Sequence, residues 1–350
     1  MNVGDVAKRV GVVTGVAAGV AGALYAGERA VAAQIRRGGE GSSPAEDLLL
    51  PDVDTTSRIA THDGGELYVV EHGTGTPIVF AHGVTLTSQL WAHQFRSFPA
   101  AGFRTVAFDG RGHGQSTVGD TGHSIDNLAA DLRTVLERLD LRDAIVVGHS
   151  MGGMAVQGLA VHHPDVVAER VAGMVLLSSS ARSFASDARR IRGGLDRASV
   201  VAPTVGALFR QRNLGLLAAR VGFGDTPDPR CVEVVRQMLG ACPRETLREA
   251  GRSLLTLDFV DDLPRLSLPT LVVVGSSDLL TPPRESQVIA DLVPGAELVE
   301  LAGAGHMLMY ERTEELDALI VDFARRCLAE RVEHAELRRL DGAAVRSGAR

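Results

Sequence analysis

One serine of this chain lies in a sequence pattern that could do nucleophilic chemistry. Residues 148–153 read GHSMGG, directly after an apolar run at 144–147 and at the start of a helical pattern at 151–162. Gly-x-Ser-x-Gly between a buried strand and a helix is typical of a nucleophile elbow, a strained turn that exposes the serine hydroxyl. The flanking glycines are needed because side chains there would collide where strand and helix meet. We therefore predict Ser150 as a nucleophile.

A serine hydroxyl needs a base to take its proton, and the usual base is an imidazole that a carboxylate holds in one tautomer. His306 lies in the loop GAGH after the last predicted strand, and Asp278 lies in the loop GSSD after the preceding strand. The order Ser, Asp, His along the chain is the one expected with this type of turn. We predict His306 as the general base and Asp278 as the acid that orients it.

Other histidines and acids near these segments are weaker candidates. His162 and His163 fall late on a predicted helix and are expected at the surface, whereas His149 is expected to pack inside the turn. Three serines follow the predicted strand 171–177, which excludes an acid at that strand end. Negative charge that develops on a carbonyl oxygen needs fixed backbone donors. Met151, the residue after the serine, is expected to supply one.

The elements that position these residues form an alternating pattern. From about Thr61, short β-rich runs alternate with helical patterns, which is typical of a mostly parallel sheet covered by helices on both faces. Strands are predicted at 66–72, 77–80, 105–108, 144–147, 171–177, 271–274 and 298–301. Helices are predicted from a Ser124 cap to about 139, at 151–162 and at 314–330. The predicted fold class is α/β, doubly wound.

The regular alternation stops between residues 180 and 262, where arginine-rich helical segments are interrupted by prolines and glycines. This segment is predicted to be an inserted helical cap at the carboxyl edge of the sheet, where open α/β folds bind ligands. Its apolar stretch 200–217 could be an acyl-binding wall or the core of the cap. The predicted units are an N-terminal hydrophobic segment and linker at 1–56, a first core part at 57–179, the cap at 180–262, a second core part at 263–330 and a charged tail at 331–350.

Residues 10–27 form an uncharged run about as long as a membrane span, with charged residues on both sides. The run is rich in alanine and glycine and only weakly hydrophobic, so three interpretations stay open: a membrane anchor, a cleaved signal peptide, or a soluble or surface-lying helix. We expect a protein that is membrane-associated through this segment or cytoplasmic, and secretion is less favoured.

Composition excludes several classes of protein. The formal net charge of -7 argues against a nucleic acid as the main partner. Three cysteines, Cys231, Cys242 and Cys327, are too few and too scattered for a disulfide framework or a zinc site. No nucleotide-binding glycine loop or zinc helix stands in a supporting context, so we expect no cofactor and no metal.

Residues from about 62 to 328 resemble the α/β-hydrolase superfamily. Four separated motifs agree with it, among them the serine turn, AHGV at 81–84 and FDGRGHGQS at 108–116. Because 81–84 resembles the oxyanion loop of the family, the resemblance implies Val84 as the second backbone donor, with His82 supporting the loop. It also implies a structural role for 108–116, in which Asp109 and Arg111 fix loops near the site.

The resemblance implies a serine hydrolase. Epoxide hydrolases and haloalkane dehalogenases carry an aspartate at the position of Ser150, and Trp91 is the only tryptophan, so a pair of halide-binding indoles is excluded. Carboxylesterases and monoacylglycerol-type lipases, cofactor-free perhydrolases often labelled haloperoxidases, and carbon–carbon bond hydrolases stay open.

Hydrolysis of a small ester through an acyl-enzyme on Ser150 is favoured, because GHSMGG resembles many lipases and esterases. The substrate is expected to carry an apolar acyl group. The alternative from another class is a non-catalytic ligand receptor of this fold, which is disfavoured because no member of the predicted triad is missing.

Overall fold

The computed structural model describes residues 45–183 and 211–347, which form one eight-stranded sheet with helices on both faces. The strands are β1 Thr55–Ala60, β2 Glu66–His72, β3 Thr76–Ala81, β4 Phe103–Phe108, β5 Ala144–His149, β6 Val171–Leu177, β7 Thr270–Gly275 and β8 Glu297–Leu301. Their order is β1-β2-β4-β3-β5-β6-β7-β8. β1 and β2 pair antiparallel with their neighbours, and the pairs from β4 to β8 are parallel. The predicted mostly parallel α/β sheet is confirmed.

Two hydrophobic cores lie on opposite faces of this sheet. The helices are α1 Ala92–Ser97, α2 Ile125–Arg138, α3 Met151–His162, α4 Pro164–Arg170, α5 Arg212–Arg220, α6 Pro229–Ala241, α7 Arg244–Leu254, α8 Pro283–Leu292, α9 Leu308–Glu311 and α10 Thr313–Ser347. Phe80 of β3 packs in the core with α1 and α10, whereas its neighbour Val79 packs in the core with α2, α3 and α8. Successive side chains of a strand point to opposite faces, so burial on both faces requires the apolar runs of the central strands.

Strand β1 is not among the predicted strands. Its sequence TTSRIA lies at the edge of the sheet, and only Ile59 is buried, so it lacks the apolar run that reveals a central strand. The stretch 38–56 is predicted to be a linker, but a short 3₁₀ helix at Ala45–Leu48 places Leu48 in a hydrophobic core. Part of the predicted linker therefore packs against the globular part through Leu48. Helix α10 continues from the second core part into the predicted charged tail and ends at Ser347.

The described part of the predicted cap, between β6 and β7, consists of α5, α6 and α7. Its prolines start helices: Pro229 is the first residue of α6, and Pro243 precedes α7. Proline is tolerated there because the first N–H groups of a helix have no partner within it. Helix α7 contacts the core through the Thr246 hydroxyl, which donates to the Gly112 carbonyl at 3.0 Å.

No helix within residues 45–183 and 211–347 is long and apolar enough to cross a membrane. The predicted segment 10–27 and residues 200–210 of the predicted acyl wall lie outside the described residues.

Candidate active site

Ser150 lies at the junction of β5 and α3, in a backbone conformation with φ of 54° and ψ of −117°. Residues other than glycine rarely adopt a positive φ, so the backbone of this turn is strained. The Ser150 N–H donates to the Leu177 carbonyl at 2.9 Å, which ties the turn to β6. A Cβ on Gly148 would lie 2.4 Å from the Gly152 oxygen, and one on Gly152 would lie 2.2 Å from the Ala81 oxygen. These are the collisions that the motif predicts.

His306 and Asp278, from the loops after β8 and β7, are hydrogen-bonded to each other. His306 Nδ1 lies 2.8 Å from Asp278 Oδ2, and both side chains are buried. Burial raises the pKa of Asp278, but the charge and hydrogen bond of His306, together with donors from Thr281, outweigh it and lower the pKa to about 2. The ionised carboxylate accepts the Nδ1 proton, which leaves His306 Nε2 as the basic nitrogen.

Thr281 supports this pair and is not among the predicted residues. Its hydroxyl lies 2.8 Å from Asp278 Oδ2, and its N–H donates to Oδ1 at 2.9 Å. The Leu280 N–H donates to the same Oδ1 at 2.8 Å. An aspartate that accepts N–H groups two and three residues later is a common turn, so the threonine three positions after Asp278 is the signal that could have revealed it.

The loop at 82–85 is fixed by two histidines. His82 Nε2 accepts from the Gly110 N–H at 2.8 Å, so its Nδ1 carries the proton and donates to the Gly83 carbonyl at 2.7 Å. His113 Nε2 accepts from the Thr85 N–H at 3.1 Å. His82 therefore supports the loop, as expected. The predicted oxyanion donors, the Val84 and Met151 N–H groups, have no acceptor within the described part of the chain.

The segment 108–116 has structural contacts, as the resemblance implies. Asp109 accepts the Ser88 N–H and the Gln115 N–H, each at 2.8 Å. Arg111 is fully buried and forms an ion pair with the buried Asp131, with an N–O distance of 2.7 Å. These contacts hold the loop beside the site without a side chain in the pocket.

The remaining predicted positions also have clear surroundings. His149 is buried, and its Nε2 donates to the His306 carbonyl at 2.9 Å, so it supports the loop of the predicted base. His162 is exposed at the surface. Trp91 is fully buried, and its ring centroid lies 4.7 Å from that of Phe80. It packs against the sheet, as expected.

A pocket of about 340 Å³ is lined by Ser150, His306 and Val84. Its other described lining residues are Gly83, Thr85, Leu86, His149, Ala218, Ala219, Val221, Gly222, Val235, Leu239, Leu247, Leu254, Leu280, Thr281 and Met307. The cap side of this lining starts at Ala218. Residues 211–217, the described part of the segment predicted as acyl wall or cap core, do not belong to the described lining of the pocket, and Leu216 packs in a hydrophobic core.

A family model described as alpha/beta hydrolase fold matches residues 76–313, which include the serine turn, the two loops of the hydrogen-bonded pair and the 82–85 loop. The chain belongs to the α/β-hydrolase fold family. The matched range contains all the pocket residues and the whole described cap.

Relatives of this α/β hydrolase have different activities. A non-heme chloroperoxidase of Kitasatospora aureofaciens is 30% identical over 253 residues, 70% of this chain and 90% of the relative. The structure of a thermophilic esterase from Thermogutta terrifontis is 27% identical, with a TM-score of 0.66, and the match covers 78% of this chain and 99% of the esterase. An enol-lactonase from Burkholderia xenovorans is 25% identical, with a TM-score of 0.65, and the match covers 76% and 99%. These relatives agree on the family and differ in reaction.

Proposed function

We propose that the chain is a serine hydrolase that cleaves small carboxylic esters through an acyl-enzyme on Ser150. The observation that carries the proposal is the 2.8 Å hydrogen bond between His306 and an ionised Asp278, in a pocket that Ser150 also lines. A nucleophile, an oriented base and the backbone of Val84 line one cavity, and these are parts that acyl transfer needs.

In the proposed reaction, His306 Nε2 takes the proton of the Ser150 hydroxyl as its oxygen attacks the ester carbonyl carbon. The resulting oxyanion accepts hydrogen bonds from the Val84 and Met151 N–H groups. His306 then gives the proton to the leaving alcohol, and the acyl group stays on Ser150. Water, deprotonated by the same nitrogen, attacks the acyl-enzyme, releases the carboxylic acid and restores the serine.

The pocket favours an apolar, short or medium acyl group. Its volume of about 340 Å³ lies near the lower end of the range of about 300 to 1,000 Å³ for ligand pockets. The cap side is aliphatic, and no Asp, Glu, Lys or Arg belongs to the described lining. Leu280 and Val221, which also line the pocket, are partly exposed to solvent, so an apolar ester would meet apolar side chains on entry.

Hydrolysis of p-nitrophenyl esters from acetyl to long acyl chains tests the proposal. We expect Ser150→Ala and His306→Asn to lower kcat by at least about 10³-fold. His162→Asn, at an exposed histidine, is the matched control and should keep full activity. A folded protein that hydrolyses none of these esters would exclude ester hydrolysis as its function. Carbon–carbon bond hydrolysis or a ligand-receptor function would then be favoured. Turnover that survives in Ser150→Ala would exclude the serine mechanism.

Perhydrolysis is the second candidate, because the chloroperoxidase relative is 30% identical over most of the chain. In this reaction hydrogen peroxide replaces water as the attacking group on the acyl-enzyme, so the product is a peroxy acid and the serine is restored. Adding peroxide to the ester assay distinguishes the two. Peroxy acid formed in place of carboxylic acid, and lost in Ser150→Ala, would favour the perhydrolase.

We further propose that residues 10–27 associate with a membrane. The support is the length of the uncharged run and the charged residues at both of its ends.

A further inference from the structure

The Glu311 side chain accepts hydrogen bonds from two separate parts of the chain. Its Oε2 accepts the Gly224 N–H at 2.6 Å, and its Oε1 accepts the Gly305 N–H at 3.0 Å. Gly224 lies between α5 and α6 in the predicted cap, whereas Gly305 directly precedes His306. Burial raises the pKa of Glu311, and the backbone donors oppose that rise. One carboxylate therefore joins the cap to the loop of the predicted base.

The same two segments also bond to each other directly. The His306 and Met307 N–H groups donate to the Gly222 carbonyl at 2.9 and 3.1 Å, and the Asp225 N–H donates to the Gly303 carbonyl at 3.0 Å. We call the segments 222–225 and 303–307 the latch. Three backbone hydrogen bonds and the Glu311 bridge hold it closed.

The two sides of the latch touch so closely that glycine is required. A Cβ on Gly224 would lie 2.1 Å from the Gly303 oxygen, and a Cβ on Gly305 would lie 2.3 Å from the Gly224 nitrogen. Atoms at such distances overlap, so any side chain at these positions would force the segments apart. Close contact of this kind transmits a shift of the cap to the loop.

The latch connects the pocket wall to the predicted base. Ala218, Val221 and Gly222 line the pocket and lie at the end of α5 or directly after it. His306 is held on its N–H side by Gly222 and on its carbonyl side by His149, whose Nε2 lies 2.9 Å away. One of these two backbone hydrogen bonds of His306, the one to Gly222, thus comes from the cap segment that lines the pocket.

We propose that Glu311 is a positioning residue, which aligns His306 by holding the cap segment 222–225 against the loop 303–307. The inference rests on the proposed role of His306 as base. When the cap is docked, the imidazole is fixed against Asp278. When the latch opens, the pocket wall and the base lose their support together.

Glu311→Gln tests the proposal, because it keeps the size of the side chain and replaces one acceptor oxygen with an amide NH₂. Glu314→Gln is the matched control, at an exposed glutamate at the start of α10. We expect Glu311→Gln to lower kcat for p-nitrophenyl acetate by about 10- to 100-fold, since small misplacements of a catalytic group have effects of this size. KM should change by less than the fall in kcat, and the control should keep wild-type kinetics.

Gly224→Ala perturbs the latch from the cap side. We expect it to lower kcat as well, and the double variant Gly224→Ala/Glu311→Gln to lose less than the product of the two single effects, because both open the same contact. Losses that multiply fully would contradict a shared latch.

Two readouts do not depend on turnover. Hydrogen exchange should accelerate at the amides of 222–225 and 303–307 in Glu311→Gln and not in Glu314→Gln. The low-field proton resonance of His306 Nδ1, which the hydrogen bond to Asp278 protects, should exchange faster with solvent in the same variant.

The outcomes separate the latch from the proposed function. Wild-type kcat and an unchanged His306 proton in Glu311→Gln would overturn the positioning role, even if the amides exchanged faster. If the wild type hydrolysed no ester, the proposal of ester hydrolysis would be wrong. The positioning role of Glu311 would then be tested by the His306 Nδ1 proton alone: faster exchange in Glu311→Gln would support it, and unchanged exchange would contradict it.

Discussion

At the scale of single residues, Ser150 combines an unfavourable backbone with many local restraints. Its positive φ costs of order 1–3 kcal/mol for a residue other than glycine. The surrounding turn holds it there: its N–H bonds to Leu177, and its carbonyl accepts the Ser179 hydroxyl at 2.9 Å. The strained conformation is explained if this position is kept for its side-chain hydroxyl, which a glycine would lack.

The strain predicts that Ser150→Gly is more stable than Ser150→Ala by about 1 kcal/mol. Glycine adopts positive φ freely, and this gain exceeds the roughly 0.5–1 kcal/mol that glycine loses through its greater freedom in the unfolded chain. Urea denaturation of both variants measures the difference. Ser97, the last residue of helix α1, is the control, and there glycine should not be more stable than alanine. Equal stabilities at position 150 would mean that the strain is no larger than the roughly 0.5–1 kcal/mol that glycine loses, below the expected range of about 1–3 kcal/mol.

At the scale of elements, the central strands could be predicted to within one or two residues at each end, and β2, β6 and the helix after the serine with their observed bounds. The strand Val171–Leu177 and the helix Met151–His162 carry continuous apolar patterns, which burial on both sides enforces. Strand β1 could not be predicted because an edge strand with one buried side chain has no such pattern. The edge strand β8 could be predicted because Leu298, Val299 and Leu301 give it an apolar run that β1 lacks.

The predicted site residues follow the same logic. Ser150, Asp278 and His306 each come directly after a predicted strand, so topology alone places them at one edge of the sheet. Glu311 and Gly222 could not be predicted, because they act through contacts between the cap and a loop far along the chain. Contacts of that kind depend on how the cap docks, which no local pattern reports.

The loop pair 82–85 and 109–116 depends on histidines that stay neutral. Burial lowers the pKa of His82, and it lowers that of His113 to about 3, with the neighbouring His82 adding to the effect. Each Nε2 accepts a backbone N–H, so protonation would place a donor against a donor. The loops that hold the Val84 N–H are therefore sensitive to acid.

We predict that His113→Gln makes the free energy of unfolding less dependent on pH. Below the ordinary imidazole pKa of about 6.5 the unfolded chain binds a proton at His113 that the folded chain excludes, so stability falls as the pH falls from about 6.5 towards 3. Between pH 6 and 5, the substitution should lower the pH slope of the free energy of unfolding by about 1.4 kcal/mol per pH unit. Urea denaturation at pH 7, 6 and 5 measures this slope. Equal slopes for the wild type and the variant would contradict the neutral His113.

At the scale of the whole molecule, the described pocket is built from the middle of the chain. The family match runs from 76 to 313 and contains the pocket and the residues proposed for catalysis. Leu48 packs in a hydrophobic core, and its 3₁₀ helix contacts α1 and the cap helix α6. Seventeen residues, 28–44, separate the segment 10–27 from Ala45, where the described globular part begins.

We predict that the full chain floats with phospholipid vesicles through residues 10–27. Val16→Glu and Val20→Glu together should abolish flotation, because each charge at the centre of a span costs about 2.5–3.5 kcal/mol. Hydrolysis of p-nitrophenyl acetate should be the same in both proteins, since the proposed catalytic residues lie between 84 and 306. Sucrose-gradient flotation with the activity assay on each fraction measures both properties. If the unmodified chain stayed at the bottom of the gradient, or if the double variant floated equally well, the segment would not be a membrane anchor.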